Sequence, residues 1–143
     1  MTSSLQVRPF TPADEAALVA LWHACGLVVP WNDPHRDIVR KVKAQPDLLL
    51  LGLLADRLVA SVMVGYDGHR GWINYLAVCP SHRRQGIGAR MMDAAETRLR
   101  ALGCPKIILQ VRTSNAQVIE FYNRIGYKTD DVVSMGKRLE SDE

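Results

Sequence analysis

Apolar and polar positions along this chain switch between a period of two and a period near 3.6, and that switching predicts the elements. Leu5 to Pro9 alternates apolar and polar residues, a short first strand. Thr11-Pro12-Ala13-Asp14 carries a helix start signal, with Thr11 as N-cap, Pro12 at the first helical position and Asp14 reaching back. Leu18, Leu21, Trp22 and Cys25 then fall at i, i+3, i+4 and i+7, one buried face that Gly26 ends. Trp31-Asn32-Asp33-Pro34 repeats the signal, Asp33 capping a second helix that runs to about Lys43. Its apolar positions (Ile38, Val39, Val42) are few against Arg36, Arg40, Lys41 and Lys43, so most of this helix is expected in solvent.

Asp47 to Ala55 and Leu58 to Tyr66 are apolar runs separated by Asp56-Arg57, which predicts a tight hairpin. The nearly continuous leucines from Leu48 to Leu54 predict a strand covered on both faces. Asp67-Gly68 marks a further turn, and Trp72 to Val78 completes three consecutive antiparallel strands. The clearest helix follows, with Gly88, Met91, Met92, Ala95, Leu99 and Leu102 on one stripe and Gly103 and Pro105 ending it. Lys106 to Val111 is a strand expected parallel to Trp72–Val78, because a helix intervenes. Asn115 starts a short helix through Phe121 and Tyr122 to Gly126, and Tyr127 to Leu139 reads as a closing hairpin. Glu140-Ser141-Asp142-Glu143 reads as a frayed acidic tail. Without internal repeats or a low-complexity linker, residues 1–143 are expected to form one domain.

Composition narrows the class. With 143 residues, 48% hydrophobic and 23% charged, the chain has the make-up of a globular protein with a real core. The net charge of +3 suits an anionic ligand but is too small, and too dispersed, to argue for nucleic acid. No apolar run approaches the roughly 20 residues that span a bilayer, so no membrane partner is expected. Met1 to Gln6 lacks the features of a secretory leader. Three cysteines, Cys25, Cys79 and Cys104, form no C-x-x-C pair, which points away from a disulfide framework and toward a reducing cytoplasm. Cys79 and His82 have the spacing of half a zinc site, but no second half appears and no metal is expected.

The chemistry concentrates between Val78 and Gly88, Val-Cys-Pro-Ser-His-Arg-Arg-Gln-Gly-Ile-Gly, where a strand passes through a loop into a helix. A helix N-terminus presents unpaired N–H donors and the positive end of the macrodipole. Gly86 and Gly88 bare that backbone, and Arg83 and Arg84 add the planar donor forks that suit phosphate. The stretch contains neither a P-loop nor a dinucleotide-binding G-x-G-x-x-G. It therefore reads as a pyrophosphate site of another kind.

Leu76-Ala77-Val78-x-Pro-x-x-Arg83-Arg84-Gln85-Gly86-Ile87-Gly88 resembles the acetyl-CoA signature of the GNAT superfamily of N-acyltransferases. Asn115 and Phe121-Tyr122-x-x-x-Gly126-Tyr127 resemble that family's second motif, and several loops look like those of small bacterial YpeA-type acetyltransferases. The resemblance implies an α+β fold with a mixed, mostly antiparallel, twisted sheet of six to seven strands and helices on both faces. Its Trp72–Val78 and Lys106–Val111 strands would splay apart. It further implies that Leu76, Ala77 and Val78 hold the pantetheine arm of acetyl-CoA. The amides from Arg84 through Gln85, Gly86 and Ile87 to Gly88, continuing to Ala89, would cradle the pyrophosphate beside Arg83. Asn115 would contact the pantetheine, and Tyr122 would act as general acid toward the departing thiolate.

The family's frequent glutamate base has no counterpart on the Trp72–Val78 strand. Asn74 or Tyr75 could order a water, Asp67 or His69 could reach in from the preceding turn, and Trp31 is a candidate wall of the acceptor site. The implied activity is acetyl transfer from acetyl-CoA to a primary amine: a small molecule, a protein N-terminus or a lysine. The alternative is an acyl-CoA-binding sensor without turnover, which the absent carboxylate keeps open. A homodimer through sheet edges is a reasonable assembly.

Overall fold

A computed structural model of the chain describes residues 4–143; the first three, part of the stretch read above for a leader, lie outside it. The described residues form two compact units, 4–109 with Asp142–Glu143, and Gln110–Ser141.

The first unit is built on a five-stranded sheet of β1 (Gln6–Pro9), β2 (Leu49–Leu54), β3 (Arg57–Tyr66), β4 (Gly71–Val78) and β5 (Ile107–Leu109), in that spatial order. β1 to β4 pair antiparallel in sequence, and β5 lies parallel to β4. The expected six to seven strands are corrected to five: Tyr127 to Leu139 forms no strand, and its Val132, Val133, Met135 and Leu139 are 77–91% exposed. Apolar residues alone did not make a hairpin there, because no strand partner satisfies their backbone. β5 is also shorter than Lys106–Val111.

Helices cover both faces of this sheet. α1 (Glu15–Ala24) and α2 (Pro34–Ala44) pack Leu18, Leu21, Trp22 and Ile38 against Leu49, Leu51 and Leu53 of β2 and Ala77 of β4. α3 (Ile87–Ala101) covers the other face with Met91, Met92, Ala95 and Leu99. Two glycines set its approach. A Cβ on Gly52 would stand 2.8 Å from Met91 Sδ, and one on Gly71 would stand 2.8 Å from Leu99 Cδ1. The leucine run is therefore buried from both sides, as its sequence suggested.

Local signals explain the ends. Thr11 donates its backbone N–H and hydroxyl to Asp14 Oδ2, each over 2.8 Å, around a single 3-10 turn that leads into α1. Asp33 Oδ1 caps α2 by accepting from the N–H groups of His35 and Arg36. The β2–β3 hairpin turns on Ala55 and Asp56, one residue earlier than Asp56-Arg57, with φ of 48° and 65°. Two left-handed residues form the turn whose twist matches the strands.

Two expectations for the surface change. Within α2, Val39 and Val42 are exposed while Lys41 is buried, its ammonium donating to the Val64 carbonyl and to Gln45 Oε1. The acidic tail is not frayed at Asp142, whose side chain is fully buried against α2.

The second unit contains α4 (Ala116–Arg124). Gly126, at φ 100°, reverses the chain so that the Tyr127 N–H donates to the Tyr122 carbonyl over 2.9 Å. Only a residue free of a Cβ takes that conformation cheaply. The reversal sets Tyr127 edge-on to Tyr122, ring centroids 5.6 Å apart.

Candidate functional site

The turn from β4 into α3 is built from the backbone outward. The Cys79 N–H donates to the Val59 carbonyl over 2.7 Å, Pro80–His82 makes one 3-10 turn, and Arg83 Nε donates back to the Val78 carbonyl over 3.2 Å. Arg84 (φ 64°) and Gly86 (φ 75°) are left-handed, and Gln85 between them is not. Alternating handedness turns successive N–H groups toward one concavity, the geometry of an anion-binding nest.

Gly86 is the N-cap of α3 and offers no capping side chain, and no acidic residue occupies the first turn. No side chain of that turn meets its free N–H groups or the positive end of the helix dipole. A Cβ on Gly86 would meet nothing within 4 Å, so its backbone angle, and not crowding, calls for glycine. Ile87 is buried and anchors the turn, while Arg83, Arg84, Gln85 and Gly86 are exposed. Gly88 and Ala89 are half-buried on the same first turn.

β4 itself changes character halfway along. β5 pairs with Gly71, Trp72 and Ile73 only, so from Asn74 to Val78 no other strand of this unit lies on that side. β4 thus runs on through Leu76 and Ala77 beyond its pairing with β5. On the β3 side, Ser61 pairs with Ala77 but Met63 pairs with Asn74, a bulge with one extra residue on β4. Tyr75 takes it up with φ 51°.

The bulge aims Tyr75 at the α1–α2 face. Its ring stacks on Trp22, centroids 3.9 Å apart and planes 15° from parallel, and its hydroxyl donates to Asp37 Oδ2 over 2.6 Å. Trp22 Nε1 donates to Ser61 Oγ over 3.0 Å, and Ser61 Oγ donates to the Tyr75 carbonyl over 2.9 Å. Burial, with the Asp37 carboxylate second, pushes the Tyr75 phenol well above its ordinary range. The Tyr75 hydroxyl thus donates to Asp37, and its ring faces α1 and α2.

The other acceptor-side expectations separate in space. Asp67 Oδ1 accepts from the N–H groups of His69 and Arg70, and Oδ2 from Trp72 Nε1, which holds its carboxyl down at about 2. Asp67 and His69 are exposed at the β3–β4 turn, about 23 Å along β4 from Val78 at 3.3 Å per residue. Asp67 thus caps the β3–β4 turn, the turn from which it or His69 was expected to reach in. Asn74 is exposed at the point where β5 pairing ends, and Trp31 is 45% exposed between α1 and α2.

Cys79 sits beside the nest. Ser81 Oγ lies 3.3 Å from its Sγ and 3.0 Å from His82 Nδ1, and hydrogen bonding to Cys79 from Ser81 and then His82 lowers the thiol to about 7. Cys25 Sγ donates to the Val78 carbonyl over 3.3 Å. Among the described residues, no three His, Cys, Asp or Glu side chains gather as a metal site would require. No helix among them is long and apolar enough to cross a membrane.

In the second unit, Asn115 precedes α4 and is exposed, while Tyr122 is buried with Phe121 edge-on at 5.1 Å. Burial pushes the Tyr122 phenol up to about 12. Sequence reading passed over Asp37 and Ser61 and placed Arg40 on a solvated face. Only Ser61 gave a signal, a lone hydroxyl inside the apolar run of β3.

The sheet is thus mixed, β4 runs on beyond its pairing with β5, and a left-handed turn opens α3. The model of the Acetyltransferase (GNAT) family matches residues 15–127, and this chain belongs to that family. It is similar to Acetyltransferase ECA0875 of Pectobacterium atrosepticum, 45% identical over 138 residues that cover 96% of this chain and 98% of the relative. It is also similar to Acetyltransferase SG1711 of Sodalis glossinidius, 44% identical over 140 residues covering 97% and 99%. Among solved structures, Ard1 from Thermoplasma volcanium superposes with a TM-score of 0.77 at 24% identity, covering 85% of this chain and 81% of that one. The PaiA N-acetyltransferase of Thermoplasma acidophilum, solved in complex with coenzyme A, gives 0.77 at 16% identity, covering 91% and 93%. These two show the fold.

Proposed function

We propose that the chain transfers an acetyl group from acetyl-CoA to a primary amine in a ternary complex, with residues 1–143 acting as one acetyltransferase domain. The observation that carries this reading is the left-handed pair Arg84 and Gly86 at the uncapped start of α3, next to the length of β4 that β5 leaves unpaired.

The donor set fits acetyl-CoA. Backbone N–H groups from Arg84 to Ala89, with the exposed Arg83 and Arg84 guanidinia, would hold the pyrophosphate. The β4 edge from Leu76 to Val78 would hold the amide-bearing pantetheine arm as a strand holds a strand, with Asn115 contacting it as in the family. Bound acetyl-CoA supplies the thioester carbonyl that the amine attacks.

Tyr122 is the proposed proton donor to the leaving thiolate. Support comes from its place in the family motif and from burial, which keeps its phenol protonated at neutral pH. β4 carries no carboxylate, so the acceptor would lose its proton to water or arrive neutral. The 45% identical relative named an acetyltransferase supports transfer over mere binding.

Release of free CoA thiol across a panel of amines tests the reading. The expected result is release with at least one amine and a loss of about 100-fold or more in kcat for Tyr122→Phe, the scale of general acid catalysis. Binding of acetyl-CoA with no release from any amine would instead support the sensor. Failure to bind acetyl-CoA at all would overturn both.

A further inference from the structure

α2 carries a receptor for a carboxylate, and a residue of this chain fills it. Asp142 Oδ1 accepts from Arg40 Nη2 over 2.6 Å, with Arg36 Nη1 3.7 Å away. Its Oδ2 accepts from Arg40 Nη1 over 3.1 Å and from the Asp33 backbone N–H over 2.8 Å. The guanidinium thus grips both oxygens, and the N-cap residue of an eleven-residue helix adds a third donor. The Asp142 side chain has no exposed surface. This is a bidentate carboxylate site completed by a helix start.

The receptor is continuous with the β4 bulge. Arg40 Nη1 also donates to Asp37 Oδ1 over 3.0 Å, and Asp37 Oδ2 takes the hydroxyl proton of Tyr75. Tyr75 is the left-handed residue of the bulge, between Asn74 and Leu76, on the unpaired length of β4. An anion bound at Arg40 is therefore two side chains away from the strand edge proposed to hold the thioester arm.

Residues 128–141 form no helix or strand, and Glu140, Ser141 and Glu143 around Asp142 are exposed. A carboxylate from solution can take over the same donors, releasing Asp142 to water, so that hydrogen bonds of one kind are exchanged for the same kind. The exchange needs no opening of the apolar core.

We propose that this receptor takes the carboxylate of the acceptor. The acceptor is then a carboxylate-bearing amine, of the amino acid or peptide class, and Asp142 is an internal competitor for its place. This rests on the acetyl-transfer reading and names the substrate class of that site.

The test compares amino acids and dipeptides with their own carboxamides, as acceptors for the native chain, Asp142→Ala, the milder Asp142→Asn, and Arg40→Gln. The expected native preference for the acid over the amide is roughly tenfold in kcat/KM, the worth of one charge-assisted contact. Asp142→Ala should lower KM several-fold for the acids and leave the amides unchanged, and Arg40→Gln should abolish the preference. Equal kinetics for acid and amide in the native chain would overturn the proposal, as would an Asp142 effect shared by both. A second readout is independent of turnover: calorimetric binding of N-acetyl amino acids, which keep the carboxylate and lack the amine. Tighter binding by Asp142→Ala or Asp142→Asn than by the native chain supports the receptor, and no binding at millimolar concentration overturns it. Such binding with no CoA release from any amine would overturn the transfer reading and its acceptor while the carboxylate receptor stands.

Discussion

Tyr75 on β4 and Asp37 on α2 are joined by a 2.6 Å hydrogen bond from phenol to carboxylate. That contact ties a helix to the one place where β4 departs from regular pairing with β3. Tyr75→Phe keeps the ring stacked on Trp22 and removes only the hydroxyl. A loss of about 1.5–3 kcal/mol in urea unfolding is expected, the range for a hydrogen bond to a charged group. Tyr75→Ala should cost more, since the stack goes too. Equal losses for the two variants would mean that the ring contributes nothing.

Ser61 is wholly buried and serves two partners, the indole N–H of Trp22 and the carbonyl of Tyr75. Ser61→Ala strands both and should destabilise the chain by about 2 kcal/mol. Because Trp22→Phe removes one of the same partners, the double variant should lose less than the two single losses together. Strict additivity in thermal or urea unfolding would refute the shared network.

Much of this architecture was legible in the chain, and the misses share a cause. The stripe of Met91, Met92, Ala95 and Leu99 and the helix starts at Thr11 and Asp33 depend on neighbours within a few residues, which a sequence displays. The Arg84–Gly86 turn was legible for the same reason. The bulge at Tyr75 was not, because its left-handed backbone is maintained by Trp22, Asp37 and Ser61 from three other elements. Asp142 looked like a solvated tail because its donors lie about a hundred residues upstream. Tyr127 to Leu139 looked like strands because apolar content was read as pairing, and pairing needs a partner that periodicity does not report.

Gly86 separates binding from folding. With open space where a methyl would stand and a φ of 75°, Gly86→Ala meets strain but no clash, about 1–2 kcal/mol. If the nest receives pyrophosphate, acetyl-CoA affinity should fall at least tenfold while the melting transition moves by only a few degrees. Unchanged affinity in a calorimetric titration would place the phosphate elsewhere. Gly88→Val, with a β-branched side chain on the same first turn, should abolish binding.

Ala55 occupies a left-handed position at φ 48° that suits asparagine better. Ala55→Asn should stabilise the β2–β3 hairpin by about 0.5–1 kcal/mol, read as a raised urea midpoint with unchanged slope. A lowered midpoint would show that the turn is strained for another reason.

Lys41 gives stability a signature in pH. Burial brings its ammonium from 10.5 down to about 8 in the folded chain. Between those two values the unfolded chain binds more protons, so stability should rise with pH across that window. The slope is at most about 1.4 kcal/mol per pH unit. Below pH 8 both states are protonated and this contribution is flat. Lys41→Met should remove the rise between pH 8 and 10.5, and a rise that persists in the variant would assign it to another group.

Gly52 and Gly71 have a consequence for the anion cradle that neither touches. α3 rests on the sheet over them through Met91 and Leu99, eight residues and about 12 Å apart along its axis. A rod seated at two such points cannot rock, and the Arg84–Gly88 turn is its overhanging end. If the Arg84–Gly88 turn holds the pyrophosphate as proposed, its place is set by these two contacts before a ligand arrives. A methyl group beneath one support would press on α3 and shift with it the turn proposed to seat the pyrophosphate.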